Sequence, residues 1–156
     1  MRMGEGVEWG LHCCLTLAWL GGEPVPAARL AAQFDLPPAY LNKRLQALVR
    51  AEILTSTPGA RGGFRLARPP AKITLMDVVA AIEGPEDAFR CAEIRQRGAG
   101  TGTPAGEFRK RCGIDAAMRR AELAWRRELA SQTIADLMDT APPRAADRVR
   151  RWHSTD

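Results

Sequence analysis

One stretch limits the fold more than any other: Leu36 to Arg68, LPPAYLNKRLQALVRAEILTSTPGARGGFRLAR. From Pro38 to Ala51, Leu41, Leu45, Leu48 and Val49 recur at helical spacing and define a core stripe. Tyr40, Asn42, Lys43, Arg44 and Gln46 are left for the outer surface. Ile53-Leu54-Thr55-Ser56 and Gly63-Phe64-Arg65-Leu66 then read as two short strands. Pro58-Gly59-Ala60-Arg61-Gly62 is the turn between them. Six Lys/Arg (Lys43, Arg44, Arg50, Arg61, Arg65, Arg68) face a single acid, Glu52, in this stretch. The whole chain is also +5, so its remaining residues cancel at 17 basic against 17 acidic. Positive charge gathered on one helix and one hairpin is an electrostatic footprint for nucleic acid.

The preceding segments supply a frame for that element. Val7 to Leu20 reads as a helix with Val7, Leu11, Cys14, Leu15 and Ala18 on one apolar face, ended by Gly21-Gly22. Glu8 and His12 are four apart and point the same way, one turn apart. Pro26 to Phe34 reads as a short helix with Pro26 in its first turn and Leu30, Ala31 and Phe34 inward. Asp35-Leu36-Pro37 turns the chain into the next helix. Two helices joined by a tight turn, with polar and basic residues early in the second, match a helix-turn-helix, and the hairpin after them matches a wing. Candidate DNA contacts are Tyr40, Asn42, Lys43 and Arg44 on the helix, and Arg61, Arg65 and Arg68 on the wing. A solvated basic surface, or a winged helix used for protein contacts, is the plainer alternative.

Beyond the wing, Thr74-Leu75-Met76-Asp77 is a capping-box-like start to a helix running to Glu83, stopped by Gly84-Pro85. Asp87 to Cys112 is rich in Gly and Arg and reads as a loop. Ile114 to Met138 reads as the longest helix, with a stripe of Ile114, Met118, Ala121, Trp125, Leu129, Ile134 and Leu137. Its length is roughly 37 Å at about 1.5 Å per residue, more than a small winged helix can cover. A dimer interface is the expected use of the uncovered stripe. Arg144 to Asp156 is polar and basic and reads as a frayed end.

The expected class is mainly α with a small β-hairpin wing: a winged helix-turn-helix plus a long C-terminal dimerisation helix. The expected division is 1–84 for DNA binding, 85–113 for a metal-binding loop, 114–140 for dimerisation and 141–156 for a flexible tail. Four cysteines among 156 residues are too few for a secreted disulfide scaffold and favour a reducing cytoplasm with a metal or redox role. The apolar run Gly10–Leu20 lacks the flanks of a signal peptide and no run reaches the length of a membrane span. A soluble cytoplasmic protein is expected.

These pieces resemble the winged-helix regulator family that includes IscR and NsrR. The resemblance is carried by Pro38-Ala39-Tyr40-Leu41, by Leu45-Gln46-Ala47-Leu48-Val49-Arg50-Ala51, by Gly62 to Pro69 and by Ile73 to Gly84, and it covers about residues 5 to 140. It implies a homodimer that binds palindromic double-stranded operator DNA and, in many members, an iron–sulfur cluster. Usual members place three cysteines close together after the fourth helix; here only Cys91 lies there, with Cys112 twenty-one residues on. In this respect the chain is similar to the RsrR-type variant, whose 2Fe-2S cluster takes two cysteines from one subunit and a Glu and a His from the first helix of the other. Carried across, the ligands are Cys91, Cys112, Glu8 and His12.

A histidine ligand in place of a thiolate removes negative charge from a cluster and raises its potential. Arg90, Lys110 and Arg111 beside the two cysteines favour thiolates. The residues leave open a reversible Cys91–Cys112 disulfide, a zinc site with His12 and Glu8, and a cluster-free adaptor. Cys13 and Cys14 are expected to be small buried core residues. An iron–sulfur redox enzyme is the rival from another class. It lacks support: there are two histidines, no nucleophile–base spacing and no phosphate-cradling Gly-rich loop.

Overall fold

The computed structural model describes residues 3–155, so residues 1, 2 and 156 of the expected end segments lie outside it. Helices α1 (Glu5–Leu20), α2 (Ala27–Gln33) and α3 (Pro38–Arg50) are followed by β1 (Leu54–Thr57), β2 (Gly63–Leu66) and α4 (Leu75–Glu83). After a long connection come α5 (Gly113–Ser131), α6 (Ile134–Thr140) and α7 (Ala145–Ser154).

The core sits where α1, α2, α3 and α4 meet the hairpin. Leu30, Ala31, Leu41, Leu45, Leu48, Ile53, Ile73 and Val78 have no accessible surface there, together with Cys13 and Cys14. The three leucines of α3 are the expected stripe; Val49 is half-buried beside them. Burial pushes the Cys13 thiol up to about 12, and the Cys14 thiol rises for the same reason and from the neighbouring Cys13. Both are inert packing residues, as expected. Gly10 lets α1 cross α4 closely, since a Cβ there would lie 2.5 Å from Ile82 Cδ1.

The hairpin pairs antiparallel in the register Leu54–Leu66, Thr55–Arg65, Ser56–Phe64 and Thr57–Gly63. A third edge is added by Val25, whose N–H donates to Phe64 O at 2.9 Å while Phe64 N–H donates to Val25 O at 2.8 Å. Gly63 is obligatory at this seam. Its φ is +150°, and a Cβ would fall 2.3 Å from the Val25 carbonyl carbon. The wing is thereby fixed to the start of α2.

Two expectations need correction. The long helix ends at Ser131, about 28 Å from its start, not at Met138. Gln132 and Thr133 are extended instead, because they pair with the segment before α4: Leu75 N–H donates to Gln132 O and Ile134 N–H to Ile73 O, both at 2.9 Å. Thr133 and Asp136 then cap α6 reciprocally, as Thr74 and Asp77 cap α4. The expected frayed tail is mostly helix: α7 docks on α1, buries Ala145, and its Arg150 Nε donates to Trp19 O at 3.1 Å. No helix among the described residues is long and apolar enough to cross a membrane.

Candidate nucleic-acid interface and sensor site

The start of α3 presents Tyr40, Asn42 and Lys43 to solvent. Arg44 is placed differently. Its guanidinium lies 4.9 Å from the centre of the Tyr40 ring and donates to the Tyr40 hydroxyl at 2.8 Å. Its Nε is buried against Gly6 of α1, where a Cβ would come within 2.7 Å. Tyr40 also meets Trp9 edge-on, with centroids 5.5 Å apart. Gly6, Trp9, Tyr40 and Arg44 therefore form one contact between α1 and the start of α3.

On the wing, Arg61 is exposed at the tip and Arg65 is exposed with its Nε donating to Thr55 Oγ1 at 3.3 Å. Arg68 is half-buried; it donates to Lys72 O at 3.1 Å and pairs with the Asp77 carboxylate at 3.7 Å. That geometry ties the end of the wing to the capping box of α4.

The four residues carried over as metal ligands fall in two places. Cys91 and Cys112 line one cleft of about 340 Å³ with Glu93, Asp115, Arg90, Arg111 and Arg119. Glu93 N–H points at Cys91 Sγ at 3.4 Å. Glu93 has a left-handed backbone (φ +47°). The Arg95 guanidinium holds its carboxyl below the usual range by hydrogen bonding and charge, against the cost of burial. Arg95 also donates to the Lys110 carbonyl, two residues before Cys112, at 3.4 Å. Glu8 and His12 are exposed on α1, and His12 leans on Phe34 with ring centroids 5.4 Å apart. They line a larger, mainly apolar groove of about 800 Å³ between α1, the end of α2, α6 and α7. Among the described residues of one chain, no cluster of three or more His, Cys, Asp or Glu is arranged to hold a metal.

Residues that sequence patterning passed over hold the cysteine loop in place. Asp115 and Glu122 are buried on α5, while the apolar stripe of that helix is not: Ile114 is 68% and Met118 42% exposed. Asp115 pairs with Arg111 and Arg119 at 3.5 and 3.3 Å. Glu122 accepts from Arg126 at 2.7 Å and from Trp125 Nε1 at 3.0 Å. Burial raises its proton affinity, but these bonds outweigh it and hold the carboxyl below its ordinary value. Arg126 reaches on to Glu86 O at 3.0 Å, pinning the loop to α5. The visible signal was the i, i+4 acid–Arg spacing at 115/119 and 122/126.

Comparison with known proteins fits this architecture. YwgB of Bacillus subtilis strain 168, named as an HTH-type transcriptional regulator, is 30% identical over 143 residues, covering 89% of this chain and 85% of YwgB. CymR, described as the global cysteine regulator of B. subtilis, superposes with a TM-score of 0.68 at 24% identity, covering 91% of this chain and 99% of that one. T. potens IscR superposes with a TM-score of 0.66 at 20% identity, covering 93% and 91%. These two likenesses speak for the winged-helix fold alone. The signature of the Rrf2 family, described as iron-dependent transcriptional regulator, matches residues 3–140. The cationic helix and wing thus sit on the frame of a DNA-binding transcriptional regulator, and the chain belongs to the Rrf2 family.

Proposed function

We propose that the chain is a homodimeric repressor or activator of transcription, working in the cytoplasm on a palindromic operator, whose affinity is set by a 2Fe-2S cluster shared between subunits. In this reading residues 1–84 read DNA, 85–113 hold the cluster and 114–140 dimerise. Cys91 and Cys112 of one subunit and Glu8 and His12 of the other are the ligands. The observation that carries it is the split donor set: two thiols converge on one cleft, a Glu–His pair stands on a separate face, and neither is completed among the described residues of one chain. The exposed stripe of Ile114 and Met118 on α5 supports a second copy as its cover. When bound, such a cluster supplies one-electron redox chemistry and a charge that changes with it.

The chain's own residues then do the following. Arg95 and the Glu93 N–H offset negative charge at the Cys91 side. Glu8 and His12 stand on the same helix as Gly6 and Trp9, which touch Tyr40 and Arg44 on α3. A small rotation of α1 reaches the start of the reading helix through that contact. Tyr40, Asn42 and Lys43 face the major groove, Arg44 braces Tyr40 against α1, and Arg61 and Arg65 supply phosphate or minor-groove contacts. Arg68 contributes long-range charge while bracing the wing.

The test is iron and sulfide content with a visible spectrum on anaerobically isolated protein, in wild type and in Cys91→Ala, Cys112→Ala, Glu8→Ala and His12→Ala. Loss of iron in the cysteine variants and an altered spectrum in the other two are expected. A colourless wild type that still binds DNA favours the second reading, a cluster-free thiol regulator. That reading draws on the same observation, since Cys91 and Cys112 share one cleft and could join as a disulfide. An unaltered cluster in Glu8→Ala and His12→Ala would refute the cross-subunit ligand set.

A further inference from the structure

The Rrf2 signature ends at residue 140, and α7 lies beyond it. Nothing in the reading of DNA or in the proposed cluster uses this helix. Yet it is fastened to the first helix of the helix-turn-helix by several side-chain contacts. Arg29 of α2 donates to Trp152 O at 2.7 Å and also to Thr155 O. Its guanidinium lies 4.2 Å from the centre of the Trp152 ring. The last carbonyls of a helix have no partner within it and carry partial negative charge, so a cation from another element suits them. Four residues further along α2, Gln33 Oε1 meets His153 Nε2 at 2.6 Å, and Gln33 Nε2 donates to the buried Thr16 hydroxyl of α1 at 3.0 Å. The contact runs α7–α2–α1 in one chain of hydrogen bonds.

The helix so held is a weak one. α2 has seven residues, no side-chain cap, and buries only Leu30 and Ala31. A helix of that length is not stable alone, so its position is set by what it packs on. α2 supports α3 directly, and its entry segment supplies Val25 to the wing. At the other end of α7, Ala145, Arg148 and Val149 wall the groove that carries Glu8 and His12. One helix therefore grips the reading head and borders the sensor face.

We propose that α7 is a latch: by holding Arg29 and Gln33 it fixes α2 against α1, and its release lowers affinity for operator DNA. Gln33 and His153 are positioning residues in this scheme. The inference rests on the DNA-reading role of α2 and α3 and is independent of the cluster. It differs from two simpler uses of α7, as a source of added stability only or as a further phosphate contact through its arginines.

The experiment uses the full chain with Trp152→Ala and His153→Ala combined, and separately Gln33→Ala. Arg29 is left intact because its own charge could reach DNA. Fluorescence anisotropy on a labelled duplex from the protein's own promoter gives affinity and its salt slope, well below the unfolding temperature. Amide hydrogen exchange reports which helices loosen. The latch predicts affinity about fivefold to tenfold weaker in the double variant, a smaller loss in Gln33→Ala, and an unchanged salt slope. It also predicts faster exchange confined to α7 and α2, with α4 still protected. Faster exchange in α7 with affinity within about twofold of wild type overturns it. A reduced salt slope also overturns it, because α7 would then be touching phosphates.

Discussion

The reading head and the cysteine loop are opposite kinds of structure. In the head, Leu41, Leu45, Leu48, Ile53 and Leu54 are all buried, and a paired hairpin closes against Val25. From residue 85 to residue 112 no residue is buried, and only three short 3-10 turns interrupt the coil. Ion pairs and backbone acceptors hold that loop: Glu93 with Arg95, Glu122 with Arg126, and Arg126 with the Pro85 and Glu86 carbonyls. The head's buried apolar contacts hold its helices and hairpin in one arrangement. The loop has little apolar burial of its own, so opening it costs less than opening the head.

Leu45→Ala should cost about 2–5 kcal/mol by cavity formation, read by denaturant unfolding. Glu122→Ala, which removes the carboxylate that Arg126 and Trp125 Nε1 donate to, should cost about 1–3 kcal/mol and loosen residues 85–88 in hydrogen exchange. Arg61→Ala should leave stability alone and lower the salt slope of DNA binding by about 1. An unchanged slope would remove the wing tip from the DNA contact. Ile94→Ala in the loop should change unfolding free energy by no more than about 0.5 kcal/mol. A cost near that of Leu45→Ala would mean the loop has a core of its own.

Burial, and then the charge of Arg29, hold His153 below its ordinary value of 6.5. Arg150 and Glu23 share that cleft with Arg29 and His153. A group whose value is lowered by docking stabilises the docked form fully above about pH 6.5, and loses that contribution as pH falls through the docked value. Exchange in α7 should therefore rise on acidification below about pH 6.5, while α3 stays protected. Uniform exchange across that range would remove His153 from the latch.

The sequence showed the head to within a residue or two at most boundaries, because its signals are local. Leucines at helical spacing, Gly-Pro punctuation and the Thr74–Asp77 cap all lie in short windows. The broken C-terminal helix carried such a signal as well: Thr133 and Asp136 repeat the same spacing. It was overrun by the apolar stripe continuing through Ile134 and Leu137. What decides the break is the pairing of Gln132 and Ile134 with Leu75 and Ile73, some sixty residues away, which no window contains. The helix α7 was missed for a related reason. Its anchors are polar contacts to Arg29, Gln33 and Trp19, not a hydrophobic period. For the site, the convergence of Cys91 and Cys112 on one cleft was legible only through family resemblance. The bracing by Asp115 and Glu122 carried only its i, i+4 acid–Arg spacing, a signal passed over because buried acids break the rule that patterning relies on.

Subunit complementation tests whether the proposed metal centre is completed across two subunits. One chain carries Glu8→Ala and His12→Ala, the other Cys91→Ala and Cys112→Ala, and the anaerobically reconstituted heterodimer is isolated by two affinity tags. Shared ligation restores one intact site per heterodimer, with half the iron and sulfide of wild type, although each parent homodimer has none. A heterodimer as empty as its parents would contradict the account.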